Sequence, residues 1–162
     1  MRRILALLPV LLLIASGAAA QAPFRVTEGE HMRVVTRALG WTVLRDVTAP
    51  RGAAETGMLL IRAQRPVPPA ARPGHLARML RSLRTIHVTD LPAEDHLRLA
   101  GLPGDVIQAR ATGQPSGVPV VLRAVCLYAP DRSWLLVASA PAADWPGLEA
   151  ELAAVLEGFR PG

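Results

Sequence analysis

The sequence predicts an α+β fold, an antiparallel β-sheet with helices packed on its faces. Two observations carry this. Short stretches rich in Val, Ile, Leu, Thr and Trp recur along the chain, separated by turn signals built from Gly, Pro and Asp. Helical periodicity appears twice, once between two groups of strands and once at the C-terminal end. Strands gathered in groups, with helices set apart from them, suit layers that bury their apolar sides against one another.

The chain opens with MRRILALLPVLLLIASGAAA. Arg2 and Arg3 form a basic end, Ile4 to Ile14 an apolar run broken by Pro9, and Ala18 to Ala20 the small-residue pattern of a signal-peptidase site. Cleavage is expected between Ala20 and Gln21, because a cut after Ala22 would set Pro23 just beyond the bond. The apolar run falls short of the roughly 20 residues that span a bilayer, so residues 1–20 read as a cleaved signal peptide. No cysteine follows for lipid attachment, and the arginine pair lacks the rest of a twin-arginine signal. The expectation is a periplasmic or secreted protein without membrane association after cleavage. Of 162 residues, 142 then remain, enough for one domain with one core.

Two of the 18 basic residues leave with the leader, so 16 face 13 acids and the charge falls from +5 to +3. All are arginine; the chain has no lysine and no asparagine, the drift of a GC-rich bacterial genome. Nucleic-acid binding needs basic residues gathered on one face and aromatics to stack on. Here acids are interleaved throughout and aromatics make up 4%, which excludes that partner class. Cys126 is the only cysteine, so no intrachain disulfide, zinc ribbon or CxxC redox pair can form.

Gln21 to Gly29 lacks periodicity and reads as an extended lead-in to a single domain over residues 30–162. Strands are expected over His31 to Ala38, Trp41 to Thr48 and Met58 to Gln64, the first two joined at Leu39-Gly40 as a hairpin. PVPPAARPG, Pro66 to Gly74, cannot run inside a sheet, because proline has no N–H for the ladder. It reads as a stiff surface crossing. From Pro73 to about Thr85 a helix sets Leu76, Met79, Leu80 and Leu83 on one side and Arg78, Arg81 and Arg84 on the other. A meander follows over Ile86 to Thr89, His96 to Ala100, Asp105 to Ala111, Val118 to Tyr128 and Ser133 to Ala140, with GLPG at Gly101 to Gly104 as a turn. In the closing helix Asp144 is the expected N-cap and Pro146 lies in the first turn. Leu148, Leu152, Val155, Leu156 and Phe159 form its apolar stripe, and Pro161-Gly162 ends it.

The last third carries a recognisable order: the Gly101-to-Gly104 turn, a strand, a hairpin, a long strand, SWLLVASAP, Trp145, and a helix ending in GFR. Gly40-Trp41 entering a strand belongs to the same pattern. The chain resembles the PsbP-like superfamily, which includes an extrinsic subunit of the plant oxygen-evolving complex, a Ran-binding import factor and exported bacterial proteins. The resemblance implies an α/β/α sandwich and a non-catalytic binding or accessory role, with a protein partner or small ligand. It transfers no site residues, because none of the quoted positions is a catalytic or ligand motif.

One decapeptide concentrates chemistry: HVTDLPAEDH, His87 to His96. If it were a hairpin tip pairing Val88 with Asp95, His87 and His96 would be cross-strand neighbours about 5 Å apart at Cβ. They could then share a metal, with Asp90, Glu94 or Asp95 as third ligand. Zinc wants three or four ligands, and only the two histidines are placed by this argument. The reading adopted is therefore a polar hairpin tip, with no cofactor and no catalytic residue assigned. Cys126 shares its strand face with Leu122 and Ala124, as a small buried hydrophobe would. No G-x-S-x-G, P-loop or paired-carboxylate motif is present. The sequence thus points to an exported, non-catalytic binding or accessory domain. The alternatives are a small metal-binding protein using His87 and His96, or an exported enzyme assembled from distant residues.

Overall fold

The computed structural model describes residues 24–162, so the expected signal peptide and its Ala20–Gln21 cleavage bond lie outside the described residues. Along the chain come strands β1 (Phe24–Arg25), β2 (Met32–Ala38), β3 (Trp41–Asp46) and β4 (Met58–Gln64), then helix α1 (His75–Arg81). Strands β5 (Ile86–His87), β6 (Asp95–Leu99), β7 (Leu102–Gly113), β8 (Pro119–Tyr128) and β9 (Ser133–Pro141) follow. Helix α2 (Trp145–Glu157) and β10 (Arg160–Pro161) close the chain. One mostly antiparallel sheet runs β2-β3-β4-β9-β8-β7, and the outer edge of β7 is shared by β5 and β6. β4 pairs with β9 from Met58↔Ser139 to Gln64↔Ser133, so strands from both sides of the proline-rich crossing lie in the same sheet.

Turn chemistry fixes two of the hairpins. Leu39-Gly40, between β2 and β3, and Ala100-Gly101, between β6 and β7, both show φ of 52° then 79°. Positive φ at both central residues marks the turn whose twist matches that of the flanking strands. The second turn corrects the GLPG expectation. Leu102 and Pro103 already pair with Leu99 and Arg98, and Gly104 lies inside β7 opposite Leu127. A Cβ at 104 would come within 2.5 Å of the Cys126 carbonyl oxygen, so glycine there permits a close strand approach. On the free edge of the sheet, the β2–β3 register shifts between Val34 and Thr36, and the Val34 N–H donates to Glu28 Oε1 at 2.7 Å.

Alternation along the strands sorts side chains into two clusters. Leu44, Leu59, Ile61, Leu127, Trp134 and Leu136 gather with Leu152, Val155 and Leu156 of α2. Ile107, Leu122, Ala124, Cys126, Leu135 and Val137 gather with Leu76 and Leu80 of α1. A strand buried on both sides reads as an unbroken apolar run, which is why SWLLVASA shows no alternation.

Three local expectations are corrected. α1 stops at Arg81, because Ser82 N–H reaches both Arg78 and Met79 carbonyls and its hydroxyl donates to Met79 O, tightening the last turn. Asp144 occupies the N-cap position of α2 but its side chain makes no capping bond. α2 ends at Glu157, and Arg160–Pro161 pairs with Phe24–Arg25 instead of closing the helix. The lead-in is consequently anchored, with Phe24 buried and its ring 5.5 Å from that of Phe159.

A carboxylate latch ties α2 to the start of β2. Glu151 accepts from the backbone N–H groups of His31 and Met32 at 2.7 and 2.8 Å, and its Oε2 lies 2.8 Å from His31 Nδ1. The bond to Glu151 raises His31 above its ordinary 6.5. Burial pushes Glu151 up, but the N–H of Met32 and the two bonds from His31 outweigh it, leaving the carboxyl below its ordinary 4.5. A raised histidine contributes stability below its unfolded value and loses it as pH climbs through the folded one. A lowered carboxyl contributes above its unfolded value and loses it as pH falls through the folded one. The latch is therefore strongest between pH 4.5 and 6.5. Glu151→Ala is expected to cost about 2 kcal/mol in that window by urea denaturation, and less on either side. Gly29→Ala should reproduce the loss, because its Cβ would overlap Glu151 Oε1. A flat pH profile of the difference between wild type and Glu151→Ala would refute the latch.

Candidate functional site

The decapeptide does not fold back on itself. His87 lies opposite Thr112 and His96 opposite Asp105, both partners on β7. Those partners are seven positions apart along the strand, roughly 23 Å at strand rise, so the cross-strand histidine pair does not form. The twelve residues of β7 present one long edge, and β5 and β6 each bond to it rather than to each other. Asp90 is exposed in the connection, and Asp95, one residue before His96 on β6, faces the opposite side of the sheet. Glu94 is taken up elsewhere: its carboxylate accepts from Gly74 N–H at 3.0 Å and Ala77 N–H at 2.9 Å at the start of α1. Among the described residues no group of three or more His, Cys, Asp or Glu side chains is placed to hold a metal.

His96 instead joins a constellation that the sequence reading missed. Its Nδ1 lies 2.7 Å from Oδ1 of Asp105, and the Tyr128 hydroxyl donates to Oδ2 at 2.7 Å. Asp105 is 5% exposed, whereas the His96 side chain is 90% exposed. A buried carboxylate thus fixes an open imidazole by one ring nitrogen, leaving Nε2 on the far side of the ring for an incoming group. Register explains the arrangement. His96, Asp105, Cys126 and Leu135 form one row across β6, β7, β8 and β9, and Cys126 and Leu135 of that row cluster with Leu76 and Leu80 of α1. Leu97 and Leu99 pack with the opposite cluster, as alternation requires, which leaves Arg98 beside His96 on the α1 side.

Residues of α1 and β6 line a common cleft of about 860 Å³. Its walls come from Pro69, Pro73 and Ala77 on one side and Leu97, Pro103 and Tyr128 on the other, with Arg72, Arg98 and His96 among the lining. A second hollow of about 620 Å³ shares Pro69, Arg72, Pro103 and Tyr128 with it and continues toward Ala129 and Pro130. The proline-rich crossing is therefore one wall of the cleft. Its Arg72 guanidinium lies 4.6 Å from the Tyr128 ring centroid, and Arg72 Nε donates to Val67 O.

Burial, with the hydrogen bond to Asp105 next, pushes the Tyr128 phenol far above its ordinary range, so it serves as a donor. Burial likewise pushes the Cys126 thiol up to about 12, which removes it as a nucleophile. His75 sits against Tyr128 with ring centroids 6.5 Å apart, and burial followed by the Arg78 charge lowers its value.

No family model matches the chain, and no curated protein matches it. Solved structures do. LpqN of Mycobacterium tuberculosis, described as involved in cell envelope biogenesis, superposes with a TM-score of 0.62 at 13% identity, over 85% of this chain and 82% of that one. Cyanobacterial PsbP from Synechocystis sp. PCC 6803 gives 0.55 at 11% identity, over 93% and 99%. A protein of Bacteroides thetaiotaomicron gives 0.55 at 9% identity over 86% of this chain, which spans only 45% of that protein's length. At such identities the likeness speaks for architecture alone, and that architecture is the PsbP-like fold the sequence resembles.

Proposed function

We propose that the chain is an exported accessory domain, one unit over residues 30–162 with α1 and α2 on opposite faces of the sheet, that holds a ligand in the cleft between α1 and the β6–β7 hairpin. The cleft itself carries this reading. Its volume of about 860 Å³ falls within the range of small-molecule sites, and it combines apolar walls with a few converging polar groups. The leader supports a periplasmic or secreted location, and the stated involvement of LpqN in the cell envelope is in keeping with it. No helix among the described residues is long and apolar enough to cross a membrane.

The test uses 1-anilinonaphthalene-8-sulfonate as the probe, read by fluorescence. Wild type should bind it saturably, and Ala93→Trp, an exposed change at the cleft mouth, should weaken binding by about tenfold or more. Equal binding by the two proteins, each folded by circular dichroism, would overturn the cleft as the site.

A further inference from the structure

We infer that the occupant of the cleft is a small organic acid, its anionic group set against His96 and Arg98 with Arg72 nearby and its apolar body against Pro69, Ala77, Pro103 and Tyr128. This deepens the cleft reading and rests on it. Two carboxylates line the cleft, and both are spent. Glu94 accepts two backbone N–H groups of α1, and Asp105 is buried between His96 and Tyr128. A cationic ligand would find no carboxylate left to pair with.

The cations are not spent. Among the described residues no carboxylate lies within ion-pair distance of Arg72 or Arg98. Arg98 uses one terminal nitrogen on Gly101 O, and Arg72 uses Nε on Val67 O, so each keeps further N–H donors. His96 and Arg98 stand two residues apart on one side of β6, a spacing of roughly 7 Å that one carboxylate or sulfonate group with its first atoms can bridge. A neutral apolar ligand would cover these donors without pairing them, at a desolvation cost that an acid avoids. Asp105 matters to this scheme as a positioning residue, since it holds the imidazole ring in place before any ligand arrives.

Three probes of matched shape separate the possibilities by calorimetric titration of the full purified chain: 2-naphthaleneacetate, 2-(2-naphthyl)ethanol and 2-(2-naphthyl)ethylamine. The acid should bind at least tenfold tighter than the alcohol, and the amine more weakly than both. His96→Gln and Arg98→Gln, both at exposed positions, should each weaken the acid by about tenfold while leaving the alcohol unchanged. Equal affinities for acid and alcohol, both abolished by Ala93→Trp, would overturn the acid assignment and leave the cleft standing. Alcohol and acid weakened alike by the glutamine variants would also overturn it. Failure of wild type to bind any of the three would overturn both readings.

Discussion

Phe159→Ala should cost about 3–5 kcal/mol, the loss expected when a buried aromatic is cut to a methyl group in a site that cannot collapse. Phe159 is fully buried, with ring centroids 5.5 Å from Phe24 and 5.9 Å from Trp134. It follows α2 after one intervening residue, Gly158, and directly precedes β10, so its ring joins the helix end, the β1–β10 pair and the sheet. Collapse into the void is resisted because Trp134 lies in β9, hydrogen-bonded on both sides by β4 and β8. Urea denaturation gives the number, and Leu39→Ala, at a 94% exposed turn, is the control that should change stability by less than about 0.5 kcal/mol. A Phe159→Ala loss below about 1 kcal/mol would mean that the β1–β10 pair is not pinned by this ring.

Asp105→Ala should cost about 3 kcal/mol and release His96 in the same step. The substitution removes two hydrogen bonds and strands the Tyr128 hydroxyl, whose residue is 3% exposed. An unpaired buried donor is charged its full desolvation, whereas removing both partners together is far less costly. The double variant Asp105→Ala/Tyr128→Phe should therefore be more stable than Asp105→Ala alone. A double-mutant cycle on denaturation free energies reads this directly, and additive losses would show that the Tyr128–Asp105 bond carries no coupling. Asp105→Asn keeps the volume and an acceptor for Tyr128, so it should lose less than the alanine variant.

Much of the fold is legible in the residues, and the site is not. Leu39-Gly40 is a two-residue hairpin link on sight, and the alternation of β8 correctly divides Leu122, Ala124 and Cys126 from Val125 and Leu127. These are local signals with short periods. The constellation around Asp105 depends on a register between strands. His96 precedes Asp105 by nine residues, and the two meet only because Ala100-Gly101, rather than the following Pro-Gly, makes the turn. A residue's shift in that turn would have set Asp105 against a different partner. The available signal was an acid at the start of a strand whose later odd-numbered residues are apolar, a buried carboxylate in want of partners. The false pairing of His87 with His96 has the same root. Proximity in sequence favoured a hairpin, and only the length of β7 allowed two short strands to dock on it end to end.

The irregular step in β2 also bears on what happens when many copies crowd together. An open sheet margin invites a neighbour's strand to zip on, the route by which β-rich chains polymerise. Here Glu28 already occupies the Val34 N–H and pairs with Arg33, the shift at Val34–Thr36 breaks the straight run, and Arg37 adds a charge to it. Copies of the chain are thereby steered away from growing into fibres.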